Sequence, residues 1–264
     1  MRLISLNIWG GRVYENLFKF LKTKKGRTDV FCFQEVFKSD RSVITPKGGR
    51  SNILEDLKRE LFEFDFLFTP NYHGRDFEYV VNYPLSSGLA VFWKKSLGPK
   101  KKGSIFTHNS ENDVRQFPGY KQPDVPRNFQ YLIFDNFVIM NVHGYWAPFA
   151  KIDTPERIEQ SEKLIKFANS QNLPAIIAGD FNLRMDTKSV EMFDDEGFRN
   201  LVKESGAKTT RTSFYPIKWR KTDKFADYIF VSKNIYVYDF NVMLDVVSDH
   251  SPLFLEFDLP ARLA

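Results

Sequence analysis

A chain of 264 residues, 42% hydrophobic and 27% charged, has the composition of a globular protein with a sizeable core, which its 27 phenylalanines can fill. No apolar stretch approaches the ~18–20 residues that span a bilayer, the amino-terminal apolar run is too short for a signal peptide, and the single Cys32 excludes an intrachain disulfide. A formal charge of +5 and a pI of about 9.1 suit a polyanion without identifying one, and the whole reads as a soluble monomer of a reducing compartment, the cytoplasm.

Arg2–Trp9 alternates like a strand, with Ile4, Leu6 and Ile8 on one side and Leu3, Ser5 and Asn7 on the other. Val13, Leu17, Phe20 and Leu21 recur at helical spacing ahead of a basic end that suits a helix carboxyl terminus. Asp29–Gln34 is an apolar strand stopping at Glu35, and Ser51–Leu61 has a helical pattern. Phe62–Phe68 and Gly88–Trp93 read as strands, and residues 99–128, rich in Pro, Lys, Asn and Gly, as a long surface excursion. Phe129–Phe134 and Phe137–Val142 form a strand pair around Asp135-Asn136. Thr154-Pro155-Glu156 starts a helix running to about Asn169, through a hydroxyl cap, a first-turn proline and an acid at the positive dipole end. It leads to a buried strand over 174–182, and further strands follow at Phe225–Val231 and Leu253–Phe257. Strands alternate with helices early and predominate later, which predicts an α/β protein, and nothing marks a domain boundary within 1–264.

Polar residues stand where these strands end: Asn7, Glu35, His143, then Asp180 with Asn182. Asp227 lies within Phe225–Val231, and Ser248-Asp249-His250 precedes the last strand. Alternation predicts that Asp180 and Asn182 share one side of the sheet, an acid and an amide able to hold a water and take its proton. Alone, each such residue is more often a cap, a turn or a satisfied buried polar group.

Together and in order they resemble the endonuclease/exonuclease/phosphatase superfamily, the deoxyribonuclease I-like fold. The resemblance rests on Leu6-Asn7-Ile8-Trp9, Gln34-Glu35-Val36, Asn141-Val142-His143, Gly179-Asp180-Phe181-Asn182, Asp227-Tyr228-Ile229 and Ser248-Asp249-His250. It implies a single domain built as an αββα sandwich of two mixed, mostly antiparallel sheets flanked by helices, with the site at one edge. It also implies a divalent-metal phosphoester hydrolase. Glu35 is then the main ligand of Mg2+ or Mn2+, Asn7 its support and Asp249 a contributor to a second or shifted position, as hard oxygen donors suit. Asp180 becomes the general base, Asn182 orients the water or the phosphate, and His250 contacts the phosphate with Asp227 fixing its tautomer. His143 donates a proton to the leaving group or binds a phosphoryl oxygen. A tyrosine typically stands near that position in apurinic endonucleases, and the difference argues against that branch.

Thr209–Lys224 interleaves Arg211, Trp219, Arg220 and Lys221 with other aromatic and basic residues, a pattern that suits phosphate tracking with base stacking and equally a solvated loop whose aromatics fold back on the core. The expected function is thus a phosphodiesterase acting on nucleic acid, a nuclease or a DNA-end-processing enzyme, without a stable protein partner. Gly179–Arg184 also resembles the 5′-tyrosyl-DNA phosphodiesterase branch. The alternatives are a phosphatase or phosphodiesterase for a small molecule or phospholipid head group, and a catalytically silent binding protein.

Overall fold

Alternating side chains in the first strand set the order of the layers. In β1 (Arg2–Asn7), Ile4 and Leu6 pack with Leu17, Phe20 and Leu21 of α1 (Tyr14–Lys24) and with Ile53 and Leu57 of α2 (Ile53–Glu60). Leu3 instead joins the core shared with a second sheet. The computed structural model describes residues 1–259 as two six-stranded mixed sheets packed face to face, with helices outside them.

After β1 come β2 (Val30–Lys38), β3 (Phe64–His73), a short hairpin of β4 (Arg75–Asp76) and β5 (Tyr79–Val80), and β6 (Ser86–Lys94). Next are β7 (Lys101–His108), a second short hairpin of β8 (Arg115–Gln116) and β9 (Pro123–Asp124), β10 (Arg127–Ile133) and β11 (Val138–His143). α3 (Pro155–Ser170), β12 (Ala175–Asp180), α4 (Lys188–Asp195), β13 (Phe198–Asn200), α5 (Leu201–Glu204) and β14 (Asp227–Ser232) follow. β15 (Tyr236–Val242) and β16 (Leu253–Asp258) return to the first sheet. The sheet orders are β15-β16-β1-β2-β6-β3 and β13-β14-β12-β11-β10-β7. α3 and α4 cover the second sheet, Phe167 against Phe129 and Tyr131, Phe193 against Phe230.

Each sheet is antiparallel except for one central pair, β1 with β2 and β11 with β12. The carboxyl ends of these two parallel pairs meet at one edge of the sandwich, where Asn7 Nδ2 donates to Asp180 Oδ2 at 3.0 Å. Inward-facing residues grow more polar toward that edge: Leu3, Ser5 and Asn7 in β1, Ile139, Asn141 and His143 in β11, Ile176, Ala178 and Asp180 in β12. Midway, a buried amide chain ties the sheets together. Gln34 Nε2 donates to Asn141 Oδ1 (2.7 Å), Asn141 Nδ2 to Gln130 Oε1 (3.0 Å), and Gln130 Nε2 to the carbonyls of Leu67 (2.9 Å) and Leu89 (3.1 Å).

Residues 99–128 differ from the expected surface excursion. Lys101–His108 pairs along β10 as an edge strand, and Phe117 and Val125 are buried. Charged side chains hide an edge strand in the sequence because its outer side faces solvent. Among the described residues no helix is long and apolar enough to cross a membrane.

Candidate active site

The backbone at the end of β12 explains its glycine. A Cβ on Gly179 would lie 2.0 Å from the Val142 carbonyl oxygen, so only glycine lets β11 and β12 run side by side into the site. Asp180 ends the strand, and Asn182 returns toward it through a left-handed residue at φ 53°, with its own N–H donating to Asp180 Oδ1 at 2.9 Å. Acid and amide do reach the same cavity, by a turn rather than by strand alternation.

Glu35 is delivered by a bulge. Between Phe33 and Val36 the pairing of β2 with β6 slips, and Glu35 takes φ 55°. Its Oε1 accepts from Asn7 Nδ2 at 3.1 Å, so one amide bridges Glu35 and Asp180, while Asn7 Oδ1 accepts from the Trp9 N–H at 3.0 Å. Burial, then the neighbouring Asp249, raises the Glu35 carboxyl above its usual range. Four of the non-glycine residues at positive φ, Trp9, Glu35, Phe77 and Asn182, line this cavity. Such backbone costs on the order of 1–3 kcal/mol per residue and gathers at working sites.

His143 presents Nε2 to both acids, 3.9 Å from Glu35 Oε1 and 3.9 Å from Asp180 Oδ2. The Arg127 guanidinium donates to His143 Nδ1 at 3.3 Å, which leaves the ring proton on Nε2. Burial, reinforced by Arg127, pushes His143 well below the usual imidazole range, so it is a neutral donor.

His250 is its counterpart. Its Nδ1 lies 2.8 and 2.9 Å from the two Asp227 oxygens, which accept its proton, and Arg211 contacts Nε2. Burial and Arg211 act to lower its pKa, but Asp227, Asp249 and Asp180 outweigh them and raise it. Nε2 stands 3.7 Å from Asp180 Oδ2. Burial alone would raise Asp180; the cationic and imidazole groups around it, His250, Lys151, His143 and Arg211, hold it well below the carboxylate range. Asp180, Asp227 and His250 place ligand-type atoms within 4.8 Å of one another.

Lys151 completes the ring of charges and was not singled out from the sequence. Its Nζ donates to Asn182 Oδ1 at 2.9 Å, and burial, then Arg211, brings its pKa down to about 8. The loop carrying it is held by Arg157, wholly buried on α3, which donates to the carbonyls of Ala150 (2.8 Å) and Ile152 (2.5 Å). Arg127 falls within the stretch 99–128 that the sequence presents as a surface excursion, and it begins β10. A cation in a loop reads as a surface residue, and only the partner brought from another strand shows otherwise.

These groups line a cavity of about 330 Å3, walled by Trp9, Phe37, Tyr72, Phe77, Trp146 and Tyr215. Arg12 stacks over the Trp9 ring at 4.4 Å. Glu35, Asp180, Asn182, His143, Asp249, His250 and Arg211 all line it; Asn7 and Asp227 stand just behind, bonded to those that do. Trp219, Arg220 and Lys221 are not among the lining residues. Arg220 Nε donates to the Tyr215 carbonyl at 2.7 Å, and Trp219 is 48% exposed on the same loop.

Residues 4–250 match the family described as the Endonuclease/Exonuclease/phosphatase family. No curated protein matches the chain by sequence. Among solved structures, the Bacteroides thetaiotaomicron mannosyl-6-phosphatase is similar at 20% identity and a TM-score of 0.66, over 98% of this chain and 100% of that one. The human Nocturnin catalytic domain with bound sulfate is similar at 18% identity and a TM-score of 0.58, over 98% and 93% of the two chains. A humanised D. rerio TDP2 with 14 mutations is similar at 17% identity and a TM-score of 0.59, over 98% of both.

Proposed function

The chain belongs to the endonuclease/exonuclease/phosphatase family of phosphoester hydrolases, and we propose that it removes a terminal phosphate ester, with Mg2+ or Mn2+ bound. The supporting observation is the charge around one walled cavity. Glu35, Asp76, Asp180 and Asp249 balance Lys47, Arg127, Lys151 and Arg211, and Arg12 adds a further cation at the wall. Glu35 and Asp249 offer the hard oxygen donors that such an ion needs, and their crowding is what a divalent cation relieves. When bound, the ion polarises the phosphoryl oxygens and makes water easier to deprotonate. The summed charge then exceeds that of a phosphodiester and suits a phosphomonoester dianion.

Asp180 orients the attacking water through Oδ2 and takes its proton as the new bond forms; Asn182 and Lys151 fix the turn that aims it. In-line displacement sets attacking and leaving oxygens on opposite faces of phosphorus. A base and an acid 3.7 Å apart cannot straddle the phosphorus atom, so His250 serves a phosphoryl oxygen on the side of Asp180. His143, neutral and fixed by Arg127, donates Nε2–H to another.

The test is a panel with Mg2+ or Mn2+: nitrophenyl phosphate, bis-nitrophenyl phosphate, a 5′-phosphorylated oligonucleotide and closed circular DNA. Terminal monoesters should be cut and the closed circles left intact. Nicking of the circles faster than hydrolysis of any monoester would overturn the reading. An oligonucleotide end is the second reading, favoured by exposed Phe214 and Trp219 on the loop that carries Arg211.

The Lys151 cation supplies a pH signature. Its depressed pKa means that kcat/KM should fall as pH rises through about 8, where the free enzyme loses this charge. Lys151→Arg keeps the charge and should carry that limb to higher pH. A limb at the same place in both proteins would exclude Lys151 as its source.

A further inference from the structure

Beside the catalytic cavity, and sharing Arg211 with it, lies a second hollow lined by cations and hydroxyls alone. Lys208, Arg211, Arg220 and Lys224 supply the charge, with the hydroxyls of Thr209, Thr212 and Ser213 among them. Among the described residues, none of these four cations forms an ion pair. Exposed lysines nearby in the chain do: Lys203 pairs with Asp194 at 2.7 Å and Lys188 with Asp195 at 2.6 Å.

The backbone gathers the cluster. Thr209 Oγ1 donates to the Lys224 carbonyl at 2.7 Å and the Thr210 N–H to the same oxygen at 2.9 Å, which closes the loop and brings its two flanking lysines to one neck. Arg220 is fixed by donation to the carbonyls of Tyr215 and Ser213. Arg211 is buried, and its Nε has no hydrogen-bond partner in the protein. Arg211 has Asp227, Asp180 and Asp249 nearby, but Lys208, Arg220 and Lys224 stand together without an ion-pair partner, and a bound oxyanion offsets the repulsion among them.

We propose that this hollow is a second phosphate-binding subsite, so that the preferred substrate carries another phosphate besides the one hydrolysed. The inference rests on the reading of the main cavity as a phosphoester-hydrolysing site. Arg211, shared by the two hollows, stands between the two phosphates and pairs with both. In the segment first read as tracking phosphates, the work falls to the neck lysines rather than to Lys221 and Trp219 at the tip.

Lys208 and Lys224 are exposed, so the Lys208→Gln/Lys224→Gln double variant leaves the core intact. Turnover is compared for nitrophenyl phosphate, with one phosphate, and for a hexose 1,6-bisphosphate and 5′-phosphorylated dithymidylate, with two. The double variant should lose about tenfold in kcat/KM on a two-phosphate substrate while nitrophenyl phosphate is unchanged. Which of the two substrates responds tells whether the second phosphate belongs to a sugar or to a nucleotide chain. Equal loss on all three substrates, or no loss on any, overturns the subsite. Calorimetric binding of the same ligands to Asp180→Asn protein, with and without the lysine substitutions, separates this failure from the other. Binding that ignores the lysines overturns the subsite even where esters are cut. Lysine-dependent binding without any turnover keeps the subsite and removes the hydrolase reading.

Discussion

Asp180→Asn should lower kcat by about a thousandfold or more and leave a folded protein that binds inorganic phosphate more tightly than the wild type. A positioned general base contributes on the order of 10²–10⁴ in rate. Asp180 also supplies the negative charge that the surrounding Lys151, Arg211, His143 and His250 share. Its Oδ1 accepts from the Asn182 N–H and its Oδ2 from Asn7 Nδ2, and Oδ2, which faces His143 and His250, keeps a lone pair for water. An amide at this position keeps the shape and loses both the basicity and the charge. The cations then face the cavity without their counter-charge, and oxyanion affinity rises. Steady-state rates and a phosphate titration by calorimetry check both halves. A kcat within tenfold of the wild type would remove Asp180 as the base; weakened phosphate binding would point to a collapsed cavity instead.

The same substitution has a stability signature with a definite sign. Asp180 is held below its ordinary pKa in the folded protein, so its ionisation stabilises the fold above the ordinary carboxylate range. That contribution fades as pH falls toward the folded value. The gap in Tm between the wild type and the Asp180→Asn variant should therefore narrow on acidification.

Strand-end chemistry was legible in the sequence because buried strands leave a strong signal and their last residues are easy to name. Asn7, Glu35, His143 and Asp180 all stand at the ends of the two parallel pairs, which topology brings to one edge. Two layers of detail were not legible. One is backbone turned to positive φ at Glu35 and Asn182, since the residues themselves do not announce a bulge or a left-handed turn. The other is the buried cations. Arg127 and Lys151 sit beside proline, glycine and polar residues that read as loop, and their burial depends on His143, Asn182 and the Arg157 clamp. The basic-aromatic segment divides between the cavity and its own loop. Its composition suggested a tracking surface, but Arg220 spends its donors on the loop's own carbonyls, and Arg211 alone of the four named residues reaches the catalytic cavity.

Asp227→Asn should be the second large effect, lowering kcat by about a thousandfold, by analogy with the loss seen when the acid behind a catalytic histidine becomes an amide. Both Asp227 oxygens face His250 Nδ1, at 2.8 and 2.9 Å, deep in the protein. Burial and Arg211 work against a proton on this ring, and Asp227 is the strongest group favouring it. Without that carboxylate the histidine pKa must fall, so the imidazolium that neutralises a phosphoryl oxygen survives only to lower pH. The sign follows from the raised value in the wild type: activity that needs the cation is present below the folded pKa and lost above it. The alkaline limb of kcat should consequently move to lower pH in the variant. Lys151→Arg in the same background should not restore the limb, because the titrating group is the histidine. A variant whose kcat stays within tenfold, with its limb unmoved, would show that His250 works without Asp227.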